Sequence, residues 1–352
     1  MVEERIRYTF SRDGTRIAWT ESGAGPLTVL QGANSITDLR RDRENPLRRD
    51  LVRYLSERYR LVRYDHRGCG SSQRGVTEQG LAVWTEDLAA VAEAACGERP
   101  FVLLALSQAA AAAASFAAAC PERLSHLVLY APAIRGMKTI GNGRRAAAAD
   151  AFLELVRTGW GERFPGPRTL ASSLLVPDPT EEEARWSPGH LLQSVDEDDA
   201  WRFFAADAAT DASACLPRIA TPTLVIQPSH DRVVLPEWAR EAAGAIPGAE
   251  YIEVDSENHI MLGRDPAFLR ILAAFDRFVS PAPAAEGAGS LSLREREILE
   301  LMSRGLNGDA IALELSIAPK TVRNRMTGIF DKMGVNSRTQ AVAAYMRGAG
   351  SG

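Results

Sequence analysis

The chain has 352 residues, 45% of them hydrophobic and 24% charged, with a net charge of −4. That is room for one large domain and one small one, in the composition range of water-facing folded proteins. No apolar run approaches the length of a membrane span, and "MVEERIRYTF" has acids where a secretory leader needs an apolar core.

The charge is uneven. From Leu291 onward nine basic residues face six acidic ones, which leaves −7 on the first 290 residues. A small basic piece beside an acidic body points to a polyanion partner for that piece alone. The four cysteines, Cys69, Cys96, Cys120 and Cys215, are scattered and form no C-x-x-C pair. Reduced, packed thiols are the expectation, and neither a metal nor a cofactor is indicated.

In chain order, "RIRYTFSRDGTRIAWTES" comes first. Its two short alternating runs around Asp13-Gly14 read as a hairpin. Then come short apolar runs, each ending in polar or turn residues: "LTVLQG", "YRLVRYDHRG", "FVLLALS", "SHLVLYAP", "PTLVIQPSHD" and "AEYIEVDSENH". Helical patterns lie between the early ones, at 45–58, 79–96 and 108–120. Apolar strands joined by helices predict an α/β fold with a mostly parallel sheet covered on both faces. The alanine run at 109–119 suits a helix packed close to that sheet.

From about 134 to 215 no strand is legible, and the stretch reads as a helical cap over the strand ends. Its aromatics include Trp160, Phe164, Trp186, Trp201, Phe203 and Phe204. They either line a ligand pocket or form the insertion's own core. "SPAPAAEGAGS", residues 280–290, is a Pro/Ala/Gly-rich linker. The expected division is therefore a domain at 1–279, the linker, and a small domain at 291–352.

An open α/β sheet binds ligands at the carboxyl ends of its strands. Three polar residues fall at such ends. Ser107 follows the strand at 101–106, Asp231 ends "PTLVIQPSHD", and His259 follows "AEYIEVDSEN". The chemistry needs this set. A serine hydroxyl attacks poorly until a histidine takes its proton, and a carboxylate fixes the histidine's tautomer and steadies its cation. The sharp turn that carries such a serine asks for glycine two residues before it and two after. Here those places hold Ala105 and Ala109, so turnover stays open.

The first 279 residues resemble the α/β-hydrolase superfamily, from about Ile6 to Val279. More narrowly they resemble the hydrolase-type domains of bacterial multidomain regulators. The likeness rests on "DGTRIAW", "RYDHRGCGSS", "LALSQA", "RLSHLVLYAP", "TPTLVIQPSHD" and "SENHIML", in that order. It implies that Ser107 is nucleophile, Asp231 acid and His259 base. The oxyanion would meet the backbone N–H groups of Gln108 and Ala33. Gln31 stands where many relatives have histidine. Outside the triad, His66, His126, His190 and His230 read as turn, surface or packing residues. Cys69 reads as a loop filler, and Asp65 and Arg67 as ties for their loop.

After the linker, apolar spacing gives helices. Ile298, Leu299 and Met302 share one face, Ile311 and Leu315 another, and Val322, Met326, Ile329, Phe330 and Met333 form a longer stripe. A short turn at "SIAP" makes a helix-turn-helix, its second helix starting at Pro319. That helix offers Lys320, Thr321, Arg323, Asn324 and Arg325 for phosphates and base edges.

The segment from about Leu291 to Tyr345 closely resembles the LuxR-type DNA-binding domain, through "LSLREREIL", "IALELSIAPKTV" and "KMGVNSRTQAV". It departs from the family at Ala318, which replaces a capping serine, and at Arg325, which replaces a common histidine. The resemblance implies a DNA partner and a homodimer paired through the helix at Ser337–Met346. The expected whole is a cytoplasmic, ligand-responsive transcriptional regulator that senses a small, largely apolar molecule. The alternative is an active serine hydrolase of ester or lactone type.

Overall fold

Runs of Val, Leu and Ile with few charges form the central strands, which are buried on both faces, and with more exposed strands at the two edges the described residues make one eight-stranded sheet. Its strands are β1 (Arg7–Phe10), β2 (Arg16–Ser22), β3 (Thr28–Gln31), β4 (Arg60–Tyr64), β5 (Phe101–Leu106), β6 (Leu124–Tyr130), β7 (Thr223–Pro228) and β8 (Glu250–Val254). Their order is β1-β2-β4-β3-β5-β6-β7-β8. The hairpin strand β2 pairs antiparallel with β1 and β4, and every later pairing is parallel.

This is a computed structural model. It describes residues 5–141, 143–161, 166–279, 293–315, 317, 319–333, 335, 337–338, 340–342 and 345. The chain divides into two units, Met1–Val279 and Ser280–Gly352. The linker at 280–290 lies outside the described residues.

Alternation along β5 shows how the sheet holds two cores. Phe101, Leu103 and Ala105 face one side, with α2 (Leu81–Cys96), α3 (Ala109–Ala119) and α8 (Pro236–Ala245). Val102, Leu104 and Leu106 face the other, with α1 (Arg49–Arg58) and α9 (Phe268–Val279). Alanine at nearly every α3 position lets that helix lie close on the sheet, and Ala110, Ala111, Ala113, Ala114 and Ala117 are fully buried.

Among the described residues between β6 and β7 stand four α-helices: α4 (Gly143–Gly159), α5 (Gly166–Leu175), α6 (Glu181–Ser194) and α7 (Glu197–Ala209). α6 starts with a capping box, in which Thr180 and Glu183 satisfy each other's backbone N–H groups.

The second unit holds α10 (Leu293–Ser303), α11 (Gly308–Glu314) and α12 (Pro319–Met333). Ile298, Leu299, Met302, Ile311, Val322 and Ile329 form its core. Residues 338, 340–342 and 345 are also helical. Among the described residues no helix is long and apolar enough to cross a membrane.

Candidate functional site

β5 ends at Leu106, and α3 begins at Ala109. Two residues must reverse the chain between them, so Ser107 takes a left-handed backbone, φ 51°. That conformation is costly for a residue with a Cβ, and the surroundings hold it. The Ser107 N–H donates to the Tyr130 carbonyl (2.9 Å), and its own carbonyl accepts from Ala133 (3.1 Å).

The expected glycines are alanines, and the space they need is opposite them. A Cβ placed on Gly32 would lie 3.3 Å from the Ala109 Cβ and 3.8 Å from that of Ala105. The glycine that admits close approach has moved to the neighbouring strand's end.

β7 and β8 deliver the other two residues. Ser107 Oγ lies 2.8 Å from His259 Nε2, and His259 Nδ1 lies 2.7 Å from Asp231 Oδ2. A carboxylate only accepts, so Nδ1 carries the proton, and Nε2 accepts from the serine hydroxyl. Asp231 Oδ1 accepts from the N–H groups of Val233 (2.8 Å) and Val234 (3.2 Å). Both His259 and Asp231 are buried. The arrangement can take a proton from Ser107 and hold the resulting imidazolium against a fixed carboxylate.

The oxyanion donors named from the sequence have different surroundings. The Gln108 N–H meets no acceptor among the described residues. Its side chain crosses to the loop after β3, where Oε1 accepts from Ser35 N–H at 2.7 Å. The Ala33 N–H lies against the Tyr64 hydroxyl.

The remaining histidines lie elsewhere. His66 packs under Trp84 and Phe203, and burial lowers its pKa to about 4. His190, in the cap, is likewise lowered to about 4 by burial. His126 packs on Phe278, and His230 pairs with Asp255 at the surface. Burial pushes the Cys69 thiol up to about 12, which leaves it unreactive. Asp65 accepts from Leu39 and Ser71 N–H, and Arg67 holds Asp87 and Asp13.

Two of the aromatic pocket candidates need correction. Trp160 is enclosed by Ile36, Cys69, Val156, Leu191 and Val195, and its indole N–H donates to the Val195 carbonyl. It is core of the cap, because close packing on all sides leaves no face for a ligand. Trp201 turns outward and is 38% exposed. Trp186 is half-buried beneath the Arg41 guanidinium, 5.0 Å away. Phe204 is half-buried between Phe152, Trp160 and Phe203. Phe164 lies outside the described residues.

Sequence pattern gave no sign of the ties between cap and triad. The His259 N–H donates to the carbonyl of Leu175, the last residue of α5 (3.0 Å). Five residues on, Arg264 forks onto Glu183 of α6 and also donates to the Asp178 carbonyl. Such long-range pairs leave no periodicity to read.

In the second unit, Val322 and Ile329 turn inward while Arg323 and Arg325 are exposed and Thr321 is half-buried at the edge. The side chains of Lys320, Asn324 and Met333 lie outside the described residues, as do Ser316 and Ala318. Asn307 caps α11 by accepting from Ala310 N–H, and Arg338 binds the Met302 carbonyl in the last turn of α10 and the Leu306 carbonyl beyond it.

The family model for the alpha/beta hydrolase fold matches residues 32–266, and the chain belongs to that family. Fused to it, at 289–345, is a domain matching the model of bacterial regulatory proteins of the luxR family. Over 57 residues the chain is 40% identical to the transcriptional regulatory protein YdfI of Bacillus subtilis, covering 16% of this chain and 27% of that one. It thus spans less than a third of the length of the curated regulators it matches. Over 232 residues it is 26% identical to pyrrolizixenacetamide deacetylase of Xenorhabdus hominickii, 64% of this chain and 83% of that one. A crystal structure of a hydrolase from Pseudomonas aeruginosa PA01 superposes with a TM-score of 0.61 at 24% identity, covering 78% of this chain and 97% of that one. That likeness speaks to fold alone.

Proposed function

We propose that the chain is a ligand-responsive DNA-binding transcriptional regulator acting in the cytoplasm. The observation that carries this reading is the pairing in one chain of a LuxR-type domain with an assembled Ser-His-Asp site under a helical cap. The hydrolase unit holds a small, largely apolar molecule. Two copies of the second unit read two half-sites on DNA, with α12 in the major groove. The ligand acts through different affinities for two states of the dimer.

The test is titration of the purified chain onto the DNA upstream of its own gene. Salt-dependent binding that weakens in Arg323→Ala supports the reading. Salt-independent binding, or none, removes it.

The geometry of Ser107 favours a second reading, an active serine hydrolase of esters or lactones. Ser107 Oγ attacks the carbonyl carbon, and its proton passes to His259 Nε2. The oxyanion meets the N–H groups of Gln108 and Ala33. The leaving group departs with the proton from His259, and water then releases the acyl group by the same route. Hydrolysis of 4-nitrophenyl acetate by the chain and by Ser107→Ala separates the two. Equal background rates from both sink the enzyme reading and leave the regulator standing.

A further inference from the structure

Attack by a serine needs its target's oxygen caught as it turns negative, so in the hydrolase reading the N–H groups of Gln108 and Ala33 must stand at one spacing. The two belong to different elements. Gln108 opens α3, and Ala33 lies in the loop that leaves β3. A single side chain joins them.

Gln108 precedes the first residue of α3, the place from which a side-chain oxygen ordinarily answers the helix's own free N–H groups. Here it does not. The side chain is buried and crosses to the loop, where Oε1 accepts from the Ser35 N–H at 2.7 Å. A backbone N–H only donates, so the amide presents its oxygen there. Among the described residues the Ser35 N–H has no other acceptor.

The loop needs such a tie. Ser35 has a left-handed backbone, φ 53°, as Ser107 does at φ 51°. A residue with a Cβ stays there only when its surroundings hold it. Packing between loop and elbow is incomplete. A cavity of about 10 Å³, room for one water, has Gly32, Ala33, Gln108 and Ala109 among its walls. Ala33 therefore hangs between two fixed points. One residue before it, the Gly32 N–H donates to the Leu104 carbonyl at 2.9 Å. Two residues after it, Ser35 is held by Gln108. The first point belongs to the sheet, the second to the elbow that carries Ser107. Two other ties of the loop run to residues outside the elbow: the Asn34 carbonyl accepts from Arg48 at 3.2 Å, and Thr37 Oγ1 accepts from His66 N–H at 2.8 Å.

We propose that Gln108 is a positioning residue of the oxyanion hole. Its backbone N–H supplies one donor, and its side chain, through Ser35, sets where the other donor stands. This rests on the reading of the first unit as a serine hydrolase, and it names the part that fixes the spacing of the two donors. Sequence pattern gives no sign of the tie, because Gln108 and Ser35 lie 73 residues apart and meet only through the pairing of β3 with β5.

The experiment changes the side chain and keeps the backbone. Gln108→Met keeps length and loses the acceptor. Gln108→Asn keeps the amide and falls one methylene short of Ser35. Gln108→Glu keeps both reach and acceptor. Amide hydrogen exchange of the full chain, read by mass spectrometry over residues 32–36, needs no chemistry at Ser107. Exchange there speeds about tenfold or more in Gln108→Met and Gln108→Asn and returns toward wild type in Gln108→Glu. Fluorophosphonate labelling of Ser107 slows about tenfold or more in the first two. With 4-nitrophenyl acetate the loss falls on kcat while KM stays within about twofold, since the oxyanion forms only in the transition state. A glutamine that only held the fold together would lower the melting temperature and leave labelling of the folded chain unchanged. Loop exchange equal to wild type in Gln108→Met and Gln108→Asn, unchanged labelling, or a loss that falls on KM overturns the proposal. Wild type labelled at Ser107, with Gln108→Met labelled as fast, removes this role alone. Wild type that is not labelled removes the hydrolase reading and this role with it, and leaves the regulator standing.

Discussion

The methyl groups of Ala105 and Ala109 bear directly on whether Ser107 can react. They sit against Gly32, and the hydrogen bonds from Ser107 to His259 and from His259 to Asp231 are short. Restoring the missing glycines therefore changes little, whereas filling the space at Gly32 moves the loop that carries Ala33. Labelling of Ser107 by a fluorophosphonate, followed by mass spectrometry, reads this without needing turnover. Ala109→Gly labels within a few-fold of wild type, and Gly32→Ala slows on the order of tenfold or more, as displacement of a few tenths of an ångström predicts. If Ala109→Gly instead labels far faster, the methyl was obstructing the elbow. The three triad residues were legible because each follows closely on the end of an apolar strand, and strand ends can be read from composition. Gly32 was not, because its partner is reached only through sheet pairing.

Two acids that titrate alike should respond oppositely to neutralisation. Burial pushes both Asp65 and Asp207 up to about 7. An unfolded Asp titrates near ~3.9, so between there and ~7 the folded chain holds protons that the unfolded chain has lost. Stability therefore falls as pH rises through that window, and below it nothing is lost. Asp207→Asn removes the loss and, among the described residues, has no side-chain hydrogen bond to break. It should match wild type near pH 4 and exceed it by about 1–2 kcal/mol at pH 8, once screening of its uncovered part is allowed for. Asp65→Asn instead sets an amide against N–H donors from Leu39 and Ser71, and is less stable at pH 8. Chemical denaturation at the two pH values decides both. A flat difference for Asp207→Asn would mean its carboxyl has a partner after all.

Among the elements, the cap and the triad meet at the loop that follows β8. His259 hangs from Leu175 at the end of α5, and Arg264 forks onto Glu183 at the start of α6. A cap helix that shifts carries the base with it. Arg264 is 38% exposed, so losing the ion pair costs stability only about 1 kcal/mol or less. Its effect on His259 is geometric and larger. Arg264→Ala should slow fluorophosphonate labelling of Ser107 by roughly tenfold with the melting temperature nearly unchanged, and Arg264→Lys should recover little, lacking the two-pronged fork. Unaltered labelling in Arg264→Ala would mean that the cap does not steer the base. The strands that position this loop were legible as apolar runs between turn residues. The cap was legible only as a helical interruption. Its helices mix polar and small residues, and their packing is decided by one another, as the burial of Trp160 illustrates.

At the scale of the whole molecule, one chain joins an α/β-hydrolase unit to a LuxR-type one, and the proposed regulation requires two copies on one operator. The number of copies can be read from counterion release, with no operator structure needed. Each phosphate neutralised on duplex DNA contributes about −0.9 to the slope of log affinity against log salt. Arg323 is exposed on α12, the helix that enters the groove in this domain type, and a phosphate contact there is lost in Arg323→Ala. If the complex holds two copies, two contacts vanish, and the slope becomes shallower by about 1.8; a single copy gives about 0.9. The expected outcome is the larger change, with affinity falling on every sequence alike. A change near 0.9 sinks the dimer, and no change means that Arg323 touches no phosphate. An unchanged slope with affinity lost on one sequence only would make Arg323 a base reader, and the same titration with Arg325→Ala would then supply the count.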